Sequence, residues 1–109
     1  MKSFDSLPEF KKELKKLLKK YKTLNDDLKK FKKVLESYPT GVGKNFTIIC
    51  SVETAKIIKA RMACRSLRGR SIRIIYVYFE QEQKIEFIEI YFKGGKENED
   101  RERIKRYLK

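Results

Sequence analysis

The spacing of apolar residues changes once along this chain, near residue 46, and this change constrains the fold more than any other feature. Before it, apolar residues recur every three or four positions, as Phe10, Leu14 and Leu17 do, which is typical of one helix face. After it, apolar and polar residues alternate, and β-branched and aromatic residues become frequent, which is typical of strands. The sequence therefore predicts helices followed by a sheet, an α+β fold.

Two helices are predicted before residue 46. Ser6, Pro8 and Glu9 have the pattern of a capping box at the start of the first helix, and Thr23 with Asp26 has it for the second. The link between the helices is short, so they are expected to form an antiparallel hairpin. A stretch with proline and glycine then ends the second helix.

Three or four antiparallel strands are predicted after the hairpin. The segments with strand character are residues 46–50, which could also be only a lead-in, and residues 57–64, 72–79 and 84–92. A polar loop joins the last two segments as a β-hairpin. Gly94 and Gly95 are expected to end the sheet, and Asn98 to cap a last helix that lies against the sheet edge or a partner.

Strand alternation divides this sheet into two faces, with the helices covering one of them. The residues predicted to pack under the hairpin are Ile58, Met62, Ile74, Ile88, Ile90 and Phe92. Those predicted on the open face are Lys59, Arg61 and Arg73, with either Tyr91 and Lys93 or their alternate neighbours on the last strand. Val77 and Phe87 also fall on the open face, where they either form a stacking floor or show that the assumed alternation is wrong.

Charge indicates the class of partner. Lys and Arg outnumber Asp and Glu by 28 to 15, a net charge of +13, which favours nucleic acid, with an acidic protein or an anionic membrane surface as alternatives. The chain has no histidine, which excludes histidine-based catalysis and the usual zinc sites. No metal or small-molecule cofactor is expected. Cys64 is interpreted as a core residue rather than a ligand.

Length and hydropathy indicate how the chain is organised. Its 109 residues are expected to form a single domain, 1–109, because a chain of this size buries one modest core. No apolar run approaches the roughly 20 residues of a membrane span, and the first residues lack the apolar centre of a signal peptide. No membrane association is expected, and the cytoplasm is the expected location.

The open face has the residue types needed to bind phosphate and cleave RNA. Arginine forks and lysines bind a phosphodiester, and the ribose 2′-hydroxyl can attack the adjacent phosphate if one group accepts its proton and another protonates the leaving 5′ oxygen. Such a face is as often merely solvated. The arginines around Gly69 are more specific candidates for gripping RNA, because three of them lie close to one turn. The candidate RNA-binding residues are Arg65, Arg68, Arg70 and Lys96.

Two further sets of residues are given structural interpretations. Lys44, near Gly41 and Gly43, does not form a P-loop, because the full phosphate-binding pattern and its preceding strand are missing. Tyr76 and Tyr78 are expected to pack within the sheet rather than stack on bases.

The order and spacing of several segments resemble the RelE-type toxins of the RelE/ParE superfamily. The matching segments are residues 6–17, 23–28, 39–41, 59–63, 68–76 and 90–93. The resemblance implies the toxin of a type II toxin–antitoxin pair, neutralised by a cognate antitoxin that wraps it. In the RelE branch it implies an endoribonuclease that cleaves mRNA on the translating ribosome.

The resemblance also implies roles for the open-face residues. Arg61 and Arg73 would bind phosphate and stabilise transition-state charge. Lys59 or Lys93 would transfer protons, and Tyr91 would orient or stack the nucleotide. This chain departs from the family near its end, where nuclease members often have an arginine or histidine and a tyrosine. A gyrase inhibitor of the ParE type and a non-enzymatic RNA- or ribosome-binding module are therefore the alternative functions.

Overall fold

The computed structural model describes residues 2–68, 70–92 and 98–108. The chain forms three helices and a five-stranded sheet within these residues. In chain order the elements are β1 (Ser3–Ser6), α1 (Pro8–Lys20), α2 (Leu24–Ser37), β2 (Phe46–Val52), β3 (Ala55–Ala63), a 3-10 turn (Arg65–Leu67), β4 (Ser71–Phe79), β5 (Lys84–Phe92) and α3 (Arg101–Leu108). The α+β class predicted from the sequence is confirmed.

The sheet is larger and more mixed than predicted. Its strand order is β1-β5-β4-β3-β2, in which β2 to β5 form an antiparallel meander and β1 pairs parallel with β5. The prediction of three or four antiparallel strands was therefore wrong in number and in direction. The four residues of β1 were missed because Phe4 is the only apolar residue among them, too few to produce a periodic signal.

A β-bulge in β5 corrects the predicted assignment of two side chains. Ile75 pairs with Glu89 and Tyr76 pairs with Phe87, so Ile88 is an extra residue on the β5 side. The bulge reverses the alternation. Phe87 consequently packs in the core under the helical hairpin, and Ile88 packs on the opposite face, the reverse of the prediction for both residues.

Helices cover both faces of the sheet. The hairpin of α1 and α2 buries one face, where Tyr76 and Tyr78 pack as predicted. On the other face Ile104 of α3 packs with Ile57, Ile75 and Val77. The prediction that helices cover only one face was therefore wrong, because the narrow apolar stripe of α3 packs on the second face. Val77 belongs to this second core and is not part of an open stacking floor.

The helix starts differ from the predicted capping boxes. Ser6 belongs to β1, and Leu7 precedes α1 without a side-chain cap. Thr23 does precede α2, but it makes no side-chain cap hydrogen bond, and its hydroxyl instead donates to the Asp27 carboxylate at 2.9 Å. At the third helix, the Asp100 carboxylate accepts the Arg103 backbone N–H at 3.0 Å, the role expected of Asn98. Gly94 and Gly95, predicted to end the sheet, lie outside the described residues.

The helices also cover part of the free edge of β5, beyond the end of β1. The Ile90 N–H donates to the Glu13 carboxylate of α1 at 3.3 Å, and the Ile88 carbonyl accepts from Arg103 of α3 at 2.9 Å. Glu13 and Arg103 form a two-pronged ion pair with each other at 2.9 Å. In the described segments, no helix is long and apolar enough to cross a membrane.

Candidate functional site

Strand register brings three predicted site residues into one row across the sheet. Arg61 of β3 lies directly opposite Arg73 of β4, and Arg73 lies directly opposite Tyr91 of β5. The next row contains Lys59 opposite Ile75, and Ile75 opposite Glu89. Side chains of directly opposed residues lie on the same face, so these residues form one cluster beside the apolar part that α3 covers.

Arg73 is the most constrained cation of this cluster. It is 8% exposed, and within the described part of the chain its guanidinium donates to the carbonyl and hydroxyl oxygens of Ser71 without an ion pair to any carboxylate. Burial, followed by the positive charge of Arg61, lowers the pKa of Arg73. Buried charges are normally paired, so this guanidinium lies in a position that favours the arrival of an anion.

Lys59 lies between a carboxylate and a phenol. Its ammonium donates to the Glu99 carboxylate at 2.9 Å, and the Tyr91 phenol is close enough to interact with it electrostatically. Burial disfavours the charged form of Lys59, but the hydrogen bond and charge of Glu99, helped by Tyr91, outweigh burial and raise its pKa. A lysine base needs a lowered pKa, so Lys59 does not have the character of a base in this arrangement.

Tyr91 stays neutral over the physiological range. Burial raises the pKa of its phenol, and the nearby Lys59 ammonium opposes this effect without cancelling it. The ring is 5% exposed and lies beside Arg73, so the phenol is a hydrogen-bonding group held at one side of the row. Its position fits the predicted orienting role better than a role in proton abstraction.

Two cavities flank Arg61 and extend the basic surface beyond the sheet row. One of about 180 Å³ is lined by Lys44, Asn45, Thr47, Lys59 and Arg61. The other, of about 440 Å³, is lined by Asn45, Arg61, Ala63, Cys64, Arg65, Arg70 and Ser71. Asn45 and Thr47 were not predicted as site residues, and Lys44 was predicted not to form a phosphate-binding loop. The β2–β3 pairing brings all three beside Arg61, and this pairing leaves no local motif in the sequence.

The arginines near the 3-10 turn have different environments. Arg65 donates through its backbone and side chain to Asp27, which makes it partly structural. Arg68 is exposed and has a left-handed backbone with φ of 48°. Arg70 lies 4.9 Å from the Phe92 ring centre and also lines the larger cavity. Arg65 and Arg70 therefore line the same cavity as Arg61. Lys93 and Lys96, predicted as site residues, lie outside the described residues.

The fold matches a solved structure with little sequence identity. A chain of the archaeal RelE–RelB complex from Pyrococcus horikoshii OT3 superposes with a TM-score of 0.68 and 17% identity, covering 85% of this chain and 96% of that one. A scan against models of protein families finds no match, and a search of curated proteins finds none either. The chain therefore has a RelE-like fold.

Proposed function

We propose that this chain is the toxin of a type II toxin–antitoxin pair and that it cleaves mRNA on the translating ribosome. The observation that carries this proposal is Arg73, a buried guanidinium in one row with Arg61 and Tyr91 and without a carboxylate partner in the described residues. The RelE-like fold supports it. A phosphate group of RNA would neutralise the positive charges of Arg61 and Arg73.

The cluster contains most of the groups that RNA cleavage requires. Arg61 and Arg73 would hold the non-bridging oxygens of the scissile phosphate and stabilise the charge of the pentacoordinate transition state. Lys59, whose pKa is raised, stays protonated and would donate a proton to the departing 5′ oxygen. Tyr91 would orient the ribose. The 2′-hydroxyl also needs a proton acceptor, and Lys93, the other lysine predicted for proton transfer, lies outside the described residues.

The proposal includes a protein partner. The similar archaeal chain was solved in a complex of RelE with RelB, and we infer that a cognate antitoxin likewise covers this chain. Net charge of +13 predicts that this antitoxin is acidic, because covering many like charges requires compensation.

A single substitution separates catalysis from folding. Arg73→Met keeps the length of the side chain and removes its charge, and the loss of an unpaired buried charge should not destabilise the sheet. Arg106→Met is the matched control, because Arg106 is exposed on α3. Each form is induced from a tightly regulated promoter, and mRNA 5′ ends are mapped at once. We expect new cuts within translated frames for the wild type and Arg106→Met, and none for Arg73→Met.

Other outcomes of this experiment would replace the proposal. Growth arrest with intact messages and a DNA-damage response would indicate a gyrase inhibitor. Absence of both arrest and cleavage, with RNA retained in a salt-sensitive way, would indicate a binding module. Cuts that persist at the wild-type level in Arg73→Met would show that the Arg73 row is not the active site.

A further inference from the structure

Glu99 places a carboxylate inside the basic cluster. Its oxygen lies 2.9 Å from the Lys59 ammonium, and only 8% of its side chain is exposed. Burial disfavours its charged form, but the Lys59 hydrogen bond, helped by the positive charges of Lys59 and Arg101, holds the pKa of Glu99 below its usual value. Lys59 thus already contacts an anion before any RNA is bound.

The backbone beside Glu99 is anchored to the sheet. The Asp100 N–H donates to the fully buried Glu89 carboxylate at 2.7 Å, and Ile104 packs in the second core. Arg101, which contacts the other oxygen of Glu99 at 3.8 Å, is largely exposed. Glu99 is therefore held at the cluster by the packing of α3.

A carboxylate oxygen and a phosphate oxygen make the same kind of hydrogen bond to an ammonium group. A phosphate that approaches Lys59 meets the negative charge of Glu99, and it must displace this carboxylate from the ammonium or share the ammonium with it. We propose that Glu99 holds the place of a substrate phosphate and competes with RNA for Lys59, so that Glu99 weakens RNA binding without taking part in the chemical step. This inference rests on the function proposed above and assigns a regulating residue to the same site.

The test is a binding experiment on the full chain. The probe is a single-stranded RNA of about ten nucleotides, 2′-O-methylated so that it cannot be cleaved. Glu99→Gln keeps the shape of the side chain and removes its charge. We expect about five- to tenfold tighter binding, because the RNA phosphate no longer displaces an ion pair. In cleavage assays KM should fall by the same factor.

Two controls separate local competition from net charge. Glu102→Gln removes the same charge from an exposed position on α3, where Glu102 pairs only loosely with Lys105, and should change affinity less than twofold. In a Lys59→Met background, Glu99→Gln should have no further effect on affinity, because the group for which it competes is gone.

Several results would overturn the inference. Equal affinities for Glu99→Gln and Glu102→Gln would leave only a net-charge effect. A fall in kcat without a change in KM would make Glu99 a positioning residue for the Lys59 proton. If Arg73→Met weakens RNA binding and Glu99→Gln leaves it unchanged, the inference about Glu99 fails and the proposed function stands. If the wild type and Arg73→Met bind RNA equally, the proposed function fails and the inference fails with it.

Discussion

Asp27 holds the 3-10 turn of the basic surface against the helical hairpin. This buried carboxylate accepts hydrogen bonds from the Thr23 hydroxyl at 2.9 Å, from the Arg65 backbone N–H at 3.1 Å and from the Arg65 guanidinium at 3.2 Å. Burial disfavours its charge, but these bonds outweigh burial and lower its pKa. Its neighbour Asp26 is exposed, so adjacent acidic residues in one helical turn have different roles.

Asp27→Asn should lower the free energy of unfolding by about 2–3 kcal/mol at neutral pH, because it leaves buried donors poorly satisfied. The folded-state pKa is lowered, so the unfolded chain binds more protons, and the stabilisation is present above the unfolded pKa and lost as pH falls through the folded one. Urea unfolding at a series of pH values should therefore show wild type and variant converging in acid. Asp26→Asn should change little, and a pH-independent gap between Asp27→Asn and the wild type would contradict this account.

At the scale of elements, α1, β5 and α3 are tied together at the free edge of β5. The Glu13–Arg103 pair satisfies the carbonyl of the bulged residue, Ile88, and the N–H of Ile90, which pairing with β1 does not reach. The Arg103 side chain is 12% exposed, and its hydrogen bonds to Glu13 raise its pKa. This pair therefore fixes the position of α3, on which Glu99 depends.

Arg103→Met should lower the free energy of unfolding by about 2 kcal/mol, because it leaves a partly buried carboxylate and a strand carbonyl without their charged donor. Arg106→Met, an exposed change on the same helix, should have an effect within about 0.5 kcal/mol. Denaturant unfolding measures both. Equal stability of the two variants would show that the pair does not hold α3.

The other edge of the sheet, β2, is uncharged and exposed. Ile48 is 50% exposed and pairs with the fully buried Ile58 of β3. An exposed apolar edge strand favours association with other strands. Thr47, in β2, and Asn45, just before this strand, line the cavity beside Arg61.

Ile48→Lys should reduce aggregation on heating and leave stability within about 0.5 kcal/mol of the wild type, because a lysine at an edge opposes pairing. Ile58→Lys, in the paired position, should prevent folding by burying a charge. Light scattering during thermal melts measures the first effect and circular dichroism the second. Unchanged aggregation of Ile48→Lys would show that β2 is not the associating edge.

At the scale of the whole molecule, positively charged residues lie on both sides of the sheet. The lysines of α1 lie on the hairpin side, where they are mostly exposed, and the Arg61 row lies on the opposite side. Exposed charges more than about 10 Å from a ligand are largely screened at physiological salt. Contacts with RNA phosphates should therefore depend on the row, whereas the α1 lysines add only a general attraction.

The salt dependence of RNA binding tests this division. Four phosphate contacts would give a slope of about −3 for the logarithm of the binding constant against the logarithm of salt concentration. Arg61→Gln should reduce the magnitude of that slope by about 0.7, the loss of one contact. Neutralising Lys12 and Lys19 on α1 together should leave the slope unchanged. A larger reduction from the α1 pair would place the RNA on the hairpin side.

Much of the site could be predicted because strand alternation reports which residues share a face. Lys59, Arg61, Arg73 and Tyr91 were assigned to one face, and the structure places them there. Glu99 could not be found in this way, because it reaches Lys59 through the packing of α3, 40 residues further along the chain. Whether these residues cleave RNA stays a prediction for the experiments above.

The sequence by itself determined the α+β class, the helical hairpin, the main strands and the cationic face, because each depends on local periodicity and charge. Only the tertiary structure decided the parallel pairing of β1, the bulge at Ile88, the packing of α3 on the second face and the Lys59–Glu99 pair. These features arise between distant segments that must satisfy edge hydrogen bonds and cover apolar surface together, and such requirements leave no periodic pattern in any one segment.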